Sequence, residues 1–260
     1  MEALSLFSKI YGSDGKDLII LHGLFGMGDN WGTHAKNFAA LGYRVHAVDQ
    51  RNHGRSPHHP DHNYELMADD LALYMDQHEI ESAIILGHSM GGKTAMQFSV
   101  LHPNRVDALI VVDIAPKSYP IHHQVFIDAM KSINLGIMKS RGEIDRFLQD
   151  LIPSVGIRQF LMKSLHWKNK DTLAFRFNLD ALEKQLTHVG AALEFGYYHG
   201  PTVFIIGGAS GYVVDGDDAM IEQHFPSANI HTIPNAGHWV HAEAKDAFSA
   251  TVMAFLNNLE

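Results

Sequence analysis

The sequence predicts an α/β domain: a mostly parallel, doubly wound sheet with an inserted helical cap. Three observations carry that expectation. Short, wholly apolar runs such as Leu18-Ile19-Ile20-Leu21 and Ala108-Leu109-Ile110-Val111-Val112 have the length and continuity of strands covered on both faces. Helical periods separate these runs, and strand–helix alternation implies parallel pairing. From Pro116 to about Gly200 the strands give way to some 85 residues of helical period, lying between two sheet-forming stretches. The expected division is a core of residues 1–115 and 201–260 with a cap of residues 116–200. Charge marks the same boundary: the cap holds 11 Lys+Arg and 8 Asp+Glu, a balance of +3, whereas the remainder holds 9 and 21, a balance of −12.

Taken in order, Leu18–Leu21 is the first expected strand, ending in the turn His22-Gly23-Leu24-Phe25-Gly26. Asp29 or Asn30 is placed to cap a helix through Trp31, Phe38 and Leu41, which Gly42 ends. Tyr43–Asp49 reads as a strand, Arg51–Pro57 as a polar loop, and Tyr64–His78 as a helix marked by Leu66, Leu71 and Tyr74. The apolar run from Ala83 is a strand whose helix continues to Leu101, where His102-Pro103 stops it. Within the cap, helical periods cover Val125–Met130, Ile144–Leu151, Phe160–Leu165 and Thr172–Leu193, with no convincing strand. Strands resume at Thr202–Gly207 and Ile230–Ile233, and a helix from about His241 to Leu256 follows. No internal repeat or low-complexity run interrupts this order.

Composition narrows the function. At 260 residues the chain can bury a sizeable core, and its net charge of −9 offers no basic footprint for nucleic acid or anionic membranes. The absence of cysteine excludes disulfides, thiol nucleophiles and thiolate metal sites, and fits a reducing compartment. Neither a signal-type apolar segment at Met1–Ile10 nor a run of 18 apolar residues is present, so a soluble cytoplasmic protein is expected.

The stretch Gly87-His88-Ser89-Met90-Gly91-Gly92-Lys93-Thr94 admits two chemistries. Gly87-x-Ser89-x-Gly91 after a strand and before a helix is the pattern of a nucleophile elbow, which lifts a serine hydroxyl above the sheet edge. Gly87-x-x-x-x-Gly92-Lys93-Thr94 also fits a phosphate-binding loop, with Asp113 at a strand end as its Mg²⁺ ligand. A serine nucleophile needs a base, and the base needs a carboxylate to hold its tautomer. His238, in a Gly-His turn after the last expected strand, follows Ser89 in the required order. The phosphate-loop reading leaves His22-Gly23, the Arg51–Ser56 loop and Gly237-His238 without a role, and the elbow is favoured; Lys93 and Thr94 are then ordinary first-turn helix residues. Clusters at His58-His59-x-x-His62 and His122-His123 raise a metal hypothesis, but no His-Glu-x-x-His helix exists and none is assigned.

His22-Gly23, Asp49-x-Arg51-x-x-Gly54-x-Ser56, Gly87-His88-Ser89-Met90-Gly91-Gly92 and Gly237-His238 together resemble the α/β-hydrolase fold superfamily, in order and over the whole chain. Val112-Asp113-Ile114-Ala115-Pro116 and Gly207-Gly208-x-Ser210 look most like the bacterial YbfF-type esterases. The resemblance implies an ester or thioester hydrolase that needs no cofactor and leaves the substrate open. It implies Ser89 as nucleophile, His238 as base, and an oxyanion hole from the N–H groups of Leu24 and Met90, with Phe25 the neighbouring donor candidate. His22, His53 and His88 are expected to pack or hydrogen-bond beneath the turns.

The acid departs from the family pattern. Many relatives carry it in a Gly-x-x-Asp turn, and aligning Gly207-Gly208-Ala209-Ser210 with that turn puts Ser210 in its place. A serine cannot offset the charge of an imidazolium. Asp113, at the end of the neighbouring strand, is therefore the expected acid, with Ser210 as an auxiliary hydrogen bond; Asp215, Asp217 and Asp218 are rivals in a polar loop. Phe25, Met27, Met90, Tyr119, Trp167 and Trp239 are expected to line a pocket for an acyl chain. Lys117, Lys163, Lys168 and Lys170 would attract an anionic leaving group such as CoA if they face the cleft. C–C bond hydrolysis or perhydrolysis uses the same triad, and a non-catalytic ligand receptor would use the same pocket; both stay open here, as does the oligomeric state.

Overall fold

A computed structural model describes residues 2–193 and 196–259. The chain begins with β1 (Ser8–Tyr11), β2 (Asp17–Leu21), α1 (Gly32–Ala40), β3 (Arg44–Val48), α2 (Tyr64–Gln77), β4 (Ala83–His88), α3 (Met90–Leu101) and β5 (Val106–Val112). Then come α4 (Gln124–Lys131), α5 (Arg141–Leu148), α6 (Val155–Lys163), β6 (Leu165–Asn169), β7 (Thr172–Phe175), α7 (Leu179–Lys184) and α8 (Leu186–Val189). The chain returns to the sheet with β8 (Thr202–Gly207), α9 (Asp217–His224) and β9 (Ala228–Ile233), and α10 (Val240–Glu243) and α11 (Lys245–Asn257) follow.

Among the described residues the main sheet has the order β1-β3-β2-β4-β5-β8-β9. β1 runs antiparallel to β3, and the remaining neighbours pair in parallel. Alternate residues of the central strands serve opposite faces, as a strand's period of two requires. Ile19, Leu21, Ile85, Leu109 and Val111 pack with Leu71, Tyr74 and Phe98 from α2 and α3. Leu18, Ile20, Leu86, Ile110 and Val112 pack on the other face with Phe38, Phe248 and Val252 from α1 and α11. Both faces are dry, which is why these strands read as continuous apolar runs rather than alternating ones. A third cluster joins Leu24, Phe25, Met67 and Met90 at the carboxyl edge of the sheet to Ile127, Ile144, Leu161 and Leu182 of the 116–200 segment.

Four local expectations are corrected. The segment 116–200 is not free of strands: β6 and β7 form an antiparallel hairpin, and Thr172–Phe175 is strand rather than the start of a helix. Its turn is closed by Asp171 N–H donating to Asn169 Oδ1 at 3.0 Å, and its half-exposed faces hide the usual burial signal. Neither Asp29 nor Asn30 caps α1; a 3₁₀ turn spans Gly28–Trp31, and Asn30 Oδ1 instead accepts the Met27 N–H at 2.8 Å. β1 was not expected, because a four-residue edge strand without a fully buried residue carries no apolar run. Asp217 and Asp218 sit in the first turn of α9, where acidic side chains suit the helix dipole, rather than in an open loop. Among the described residues no helix is long and apolar enough to cross a membrane.

Candidate active site

Parallel pairing brings the carboxyl ends of β2, β3, β4, β5, β8 and β9 to one edge, where ligands bind in open α/β sheets. At that edge β4 ends on His88 and α3 begins on Met90, so one residue turns the chain. Ser89 does so with φ 54° and ψ −118°, a strained conformation for a residue with a side chain. Backbone bonds impose it: Ser89 N–H donates to Val112 O and Lys93 N–H to Ser89 O, each at 3.0 Å. The flanking glycines are demanded by close approach. A Cβ on Gly87 would lie 2.2 Å from Gly91 O, and one on Gly91 would lie 2.2 Å from Leu21 O. The Ser89 side chain makes no capping hydrogen bond and lines the cavity above it.

His238 faces that cavity from the turn after β9. Its Nδ1 donates to Asp113 Oδ2 at 2.8 Å. Asp113, immediately after β5 with φ 50°, is 1% exposed, and its carboxylate is held on three sides. Gly207 N–H donates to Oδ1 at 2.9 Å, and Ser210 Oγ donates to Oδ2 at 2.5 Å. Ser210 thus touches the carboxylate rather than the imidazole. The His238 ring stacks face to face on Tyr212, with centroids 3.7 Å apart, and its carbonyl accepts His88 Nε2–H at 2.8 Å. Tyr212 was not anticipated; its only sequence cue was its place two residues after Ser210. Asp217 is engaged elsewhere, accepting from Lys117 Nζ at 2.5 Å and Val214 N–H at 2.9 Å, while Asp215 and Asp218 are exposed.

The turn after β2 separates the two oxyanion-donor candidates. Phe25 N–H donates to His53 Nε2 at 3.1 Å, while His53 Nδ1 donates to Arg51 O at 2.9 Å. That pattern requires a neutral imidazole, and burial does hold the His53 pKa well below its usual value. His22 is arranged in the same way, with Nδ1–H on Gly23 O at 2.9 Å and Nε2 accepting Gln50 N–H at 3.0 Å; burial lowers its pKa too. Phe25 N–H is therefore occupied, whereas Leu24 N–H has no hydrogen-bond partner among the described residues. Met90, first residue of α3, has an N–H that no carbonyl within the helix can reach.

The cavity over Ser89 measures about 270 Å³ and is lined by Phe25, Phe126, Phe160, Leu161, His238 and Trp239 among others. A smaller one of about 30 Å³ adjoins Ser89 on the side of Leu24, Met90 and Tyr119. Two expected lining residues fall away. Trp167 is 50% exposed on β6, and Met27 is buried beneath the turn with its N–H on Asn30; neither borders these cavities.

Lys93 is no ordinary first-turn residue. It is 1% exposed and donates to Lys117 O at 2.5 Å and to Ala191 O. Burial, with Lys117 nearby, lowers its pKa to about 7. An ammonium so engaged cannot also reach a phosphate in the Gly87–Gly92 turn, and Asp113 is committed to three donors, so the phosphate-loop reading fails on both counts. Of the lysines expected at a cleft mouth, Lys117 is paired with Asp217, Lys168 and Lys170 are exposed near the hairpin turn, and Lys163 borders a groove beside Trp239. The clustered histidines sit apart in role: His62 is buried, His59 Nδ1 accepts Asp61 N–H at 3.1 Å, and His122 Nε2 pairs with the Tyr212 hydroxyl at 2.7 Å. Among the described residues no group of three or more potential ligands is positioned to hold a metal.

Comparison with known proteins agrees with this architecture. Residues 17–133 match the family model described as alpha/beta hydrolase fold. The chain is 39% identical over 250 residues to the mouse (Mus musculus) sn-1-specific diacylglycerol lipase ABHD11, covering 92% of this chain and 80% of that one. It is 36% identical over 248 residues to the esterase YbfF of Escherichia coli, covering 93% of each. The solved structure of a marine microorganism esterase superposes with a TM-score of 0.95 at 41% identity, over 97% of this chain and 100% of that one. By its strand order, its glycine-bracketed turn at Ser89 and its similarity to these proteins over nearly the whole length, the chain belongs to the α/β-hydrolase fold family.

Proposed function

We propose that this protein is a serine carboxylic-ester hydrolase working through an acyl-enzyme. The observation that carries the reading is the Asp113–His238 hydrogen bond at 2.8 Å beside a cavity that both His238 and Ser89 line. That relatives bear the names esterase and lipase supports ester hydrolysis as the chemistry. In the first half-reaction Ser89 Oγ bonds to the carbonyl carbon while its proton passes to His238 Nε2. The tetrahedral oxyanion is held by the Leu24 and Met90 N–H groups, aided by the amino end of α3. Collapse breaks the bond to the leaving oxygen, which takes the proton from His238. Water then loses a proton to His238 and attacks the acyl carbon; collapse breaks the bond to Ser89 Oγ, which takes that proton back from His238, and the acid leaves. Asp113 keeps Nδ1 protonated throughout, so Nε2 faces the serine as an acceptor. Thioesters follow the same steps. With Lys117 paired to Asp217, the acyl-CoA variant has lost one of its proposed anchors.

The direct test is p-nitrophenyl ester hydrolysis by Ser89→Ala and His238→Ala. Each is expected to lose about 10³-fold or more in kcat with unchanged circular dichroism. A Ser89→Ala protein with near wild-type turnover would end the proposal.

A further inference from the structure

Ser89 borders two chambers of unequal size. The larger, about 270 Å³, contains His238; the smaller, about 30 Å³, does not, and is walled by Leu24, Tyr64, Met90, Tyr119, Leu186 and Val189. That asymmetry orients an ester. His238 must deliver its proton to the leaving oxygen, so the alcohol lies on the His238 side of the serine. The acyl arm is left with the smaller chamber. At about 30 Å³ against about 270 Å³, the small chamber leaves an acyl arm far less room than the large one leaves the alcohol.

The outer wall of this chamber is the neck of the 116–200 segment, where the chain leaves the sheet and returns. Tyr119 N–H donates to Gly190 O, and Leu193 N–H to Pro116 O, each at 2.8 Å, so the two passes are bonded to each other. Tyr64 of α2 adds its hydroxyl to Val189 O at 2.6 Å. Lys93 completes the clamp: from the first turn of α3 its ammonium donates to Lys117 O on the outgoing pass and Ala191 O on the returning one. It also lies 5.1 Å from the centre of the Tyr119 ring and 5.9 Å from that of Tyr64, both of them chamber walls. Among the described residues no carboxylate pairs with it. Burying an amino group without a carboxylate partner is costly, and methionine would fill the same space without that cost, so the polar group needs a task that packing does not supply. Holding two separate carbonyls at fixed positions is such a task, and it fixes the depth of the chamber.

We propose that the enzyme takes short acyl groups, acetyl to propanoyl, on bulky apolar alcohols, and that Lys93 is the positioning residue that keeps the acyl chamber short. The proposal rests on the serine hydrolase reading. Its test is kcat/KM along p-nitrophenyl acetate, propanoate, butanoate, hexanoate and octanoate, and along acetates of ethanol, benzyl alcohol and decanol. The wild-type optimum is expected at acetate or propanoate, with a fall of at least about tenfold by hexanoate, the scale of overfilling a packed wall. The acetates of benzyl alcohol and decanol are expected to be turned over at least as well as ethyl acetate. Lys93→Met is expected to move the acyl optimum towards butanoate or hexanoate while leaving the alcohol preference in place, a change that general loosening of the fold would not produce. Leu186→Ala opens the same chamber from the other side and decides the point if Lys93→Met does not fold. A wild-type optimum at octanoate, or an unchanged optimum in the folded variants, overturns the proposal. These failures are separable from that of the parent reading: retained turnover in Ser89→Ala defeats the serine mechanism whatever the chain-length profile.

Discussion

Asp113→Asn is expected to lower kcat about 10⁴-fold while the protein still folds. The carboxylate has three donors around it, from Gly207, Ser210 and His238. An asparagine can accept from Gly207 N–H, but the amide nitrogen it turns to His238 is a donor. The imidazole then moves its proton to Nε2, and the nitrogen facing Ser89 can no longer take a proton. The same substitution spares the backbone, because Asp113 has φ 50° and asparagine tolerates the left-handed region better than most residues. Ser210→Ala removes one of two hydrogen bonds to Oδ2 and is expected to cost about tenfold or less. Asp215→Asn, Asp217→Asn and Asp218→Asn should leave kcat nearly unchanged, since none has a recorded contact with His238 and Asp217 is bound to Lys117. Measured kcat values across this set decide the acid. Full activity in Asp113→Asn together with a dead variant among the other three would assign the role to the loop after Ser210.

The second large effect concerns stability in acid. His53, His62, His88 and His241 are all buried, and burial lowers the pKa of each, to about 3 for His62 and His241. Geometry gives the same sign for His53, whose Nε2 would lose the Phe25 hydrogen bond on protonation. In the unfolded chain these groups return to about 6.5, so as pH falls the unfolded state takes up protons first. Their contribution is therefore fully present above about pH 6.5 and is lost progressively below it, towards the lowered folded values. Each such group costs roughly 1.4 kcal/mol per pH unit across that window, and four together roughly 5–6 kcal/mol per pH unit. A domain of this kind is stable by only about 5–15 kcal/mol, so unfolding is expected between about pH 5.5 and pH 4. Urea titrations at pH 7.5 and pH 5.5 check it. Equal midpoints at the two values would mean that these imidazoles are protonated, or solvated, in the folded protein.

Much of the architecture was legible because it rests on local patterns. A strand buried on both faces has to be a continuous apolar run, which is why β2, β4, β5 and β8 stood out. β1 and the β6–β7 hairpin did not, because an exposed edge or a small two-stranded ribbon places few demands on its side chains. Lys93 was misread for a related reason: nothing in Gly92-Lys93-Thr94 tells of carbonyls at Lys117 and Ala191, which lie 24 and 98 residues away. The role of His53 as an acceptor for Phe25 N–H was equally out of reach from the loop that contains it.

By itself, then, the sequence determined the central strands of the sheet, its doubly wound character and the glycine-bracketed turn at Ser89, since periodicity and close backbone approach are written in neighbouring residues. Which donors hold the Asp113 carboxylate, what occupies the Phe25 N–H at the turn after β2, and how the space around Ser89 is divided were decided only by tertiary structure. Each depends on groups from strands far apart in the chain, brought within about 3 Å of one another. Hydrogen bonds at that range are set by the packing of the whole sheet edge, and no local pattern of residue types encodes it.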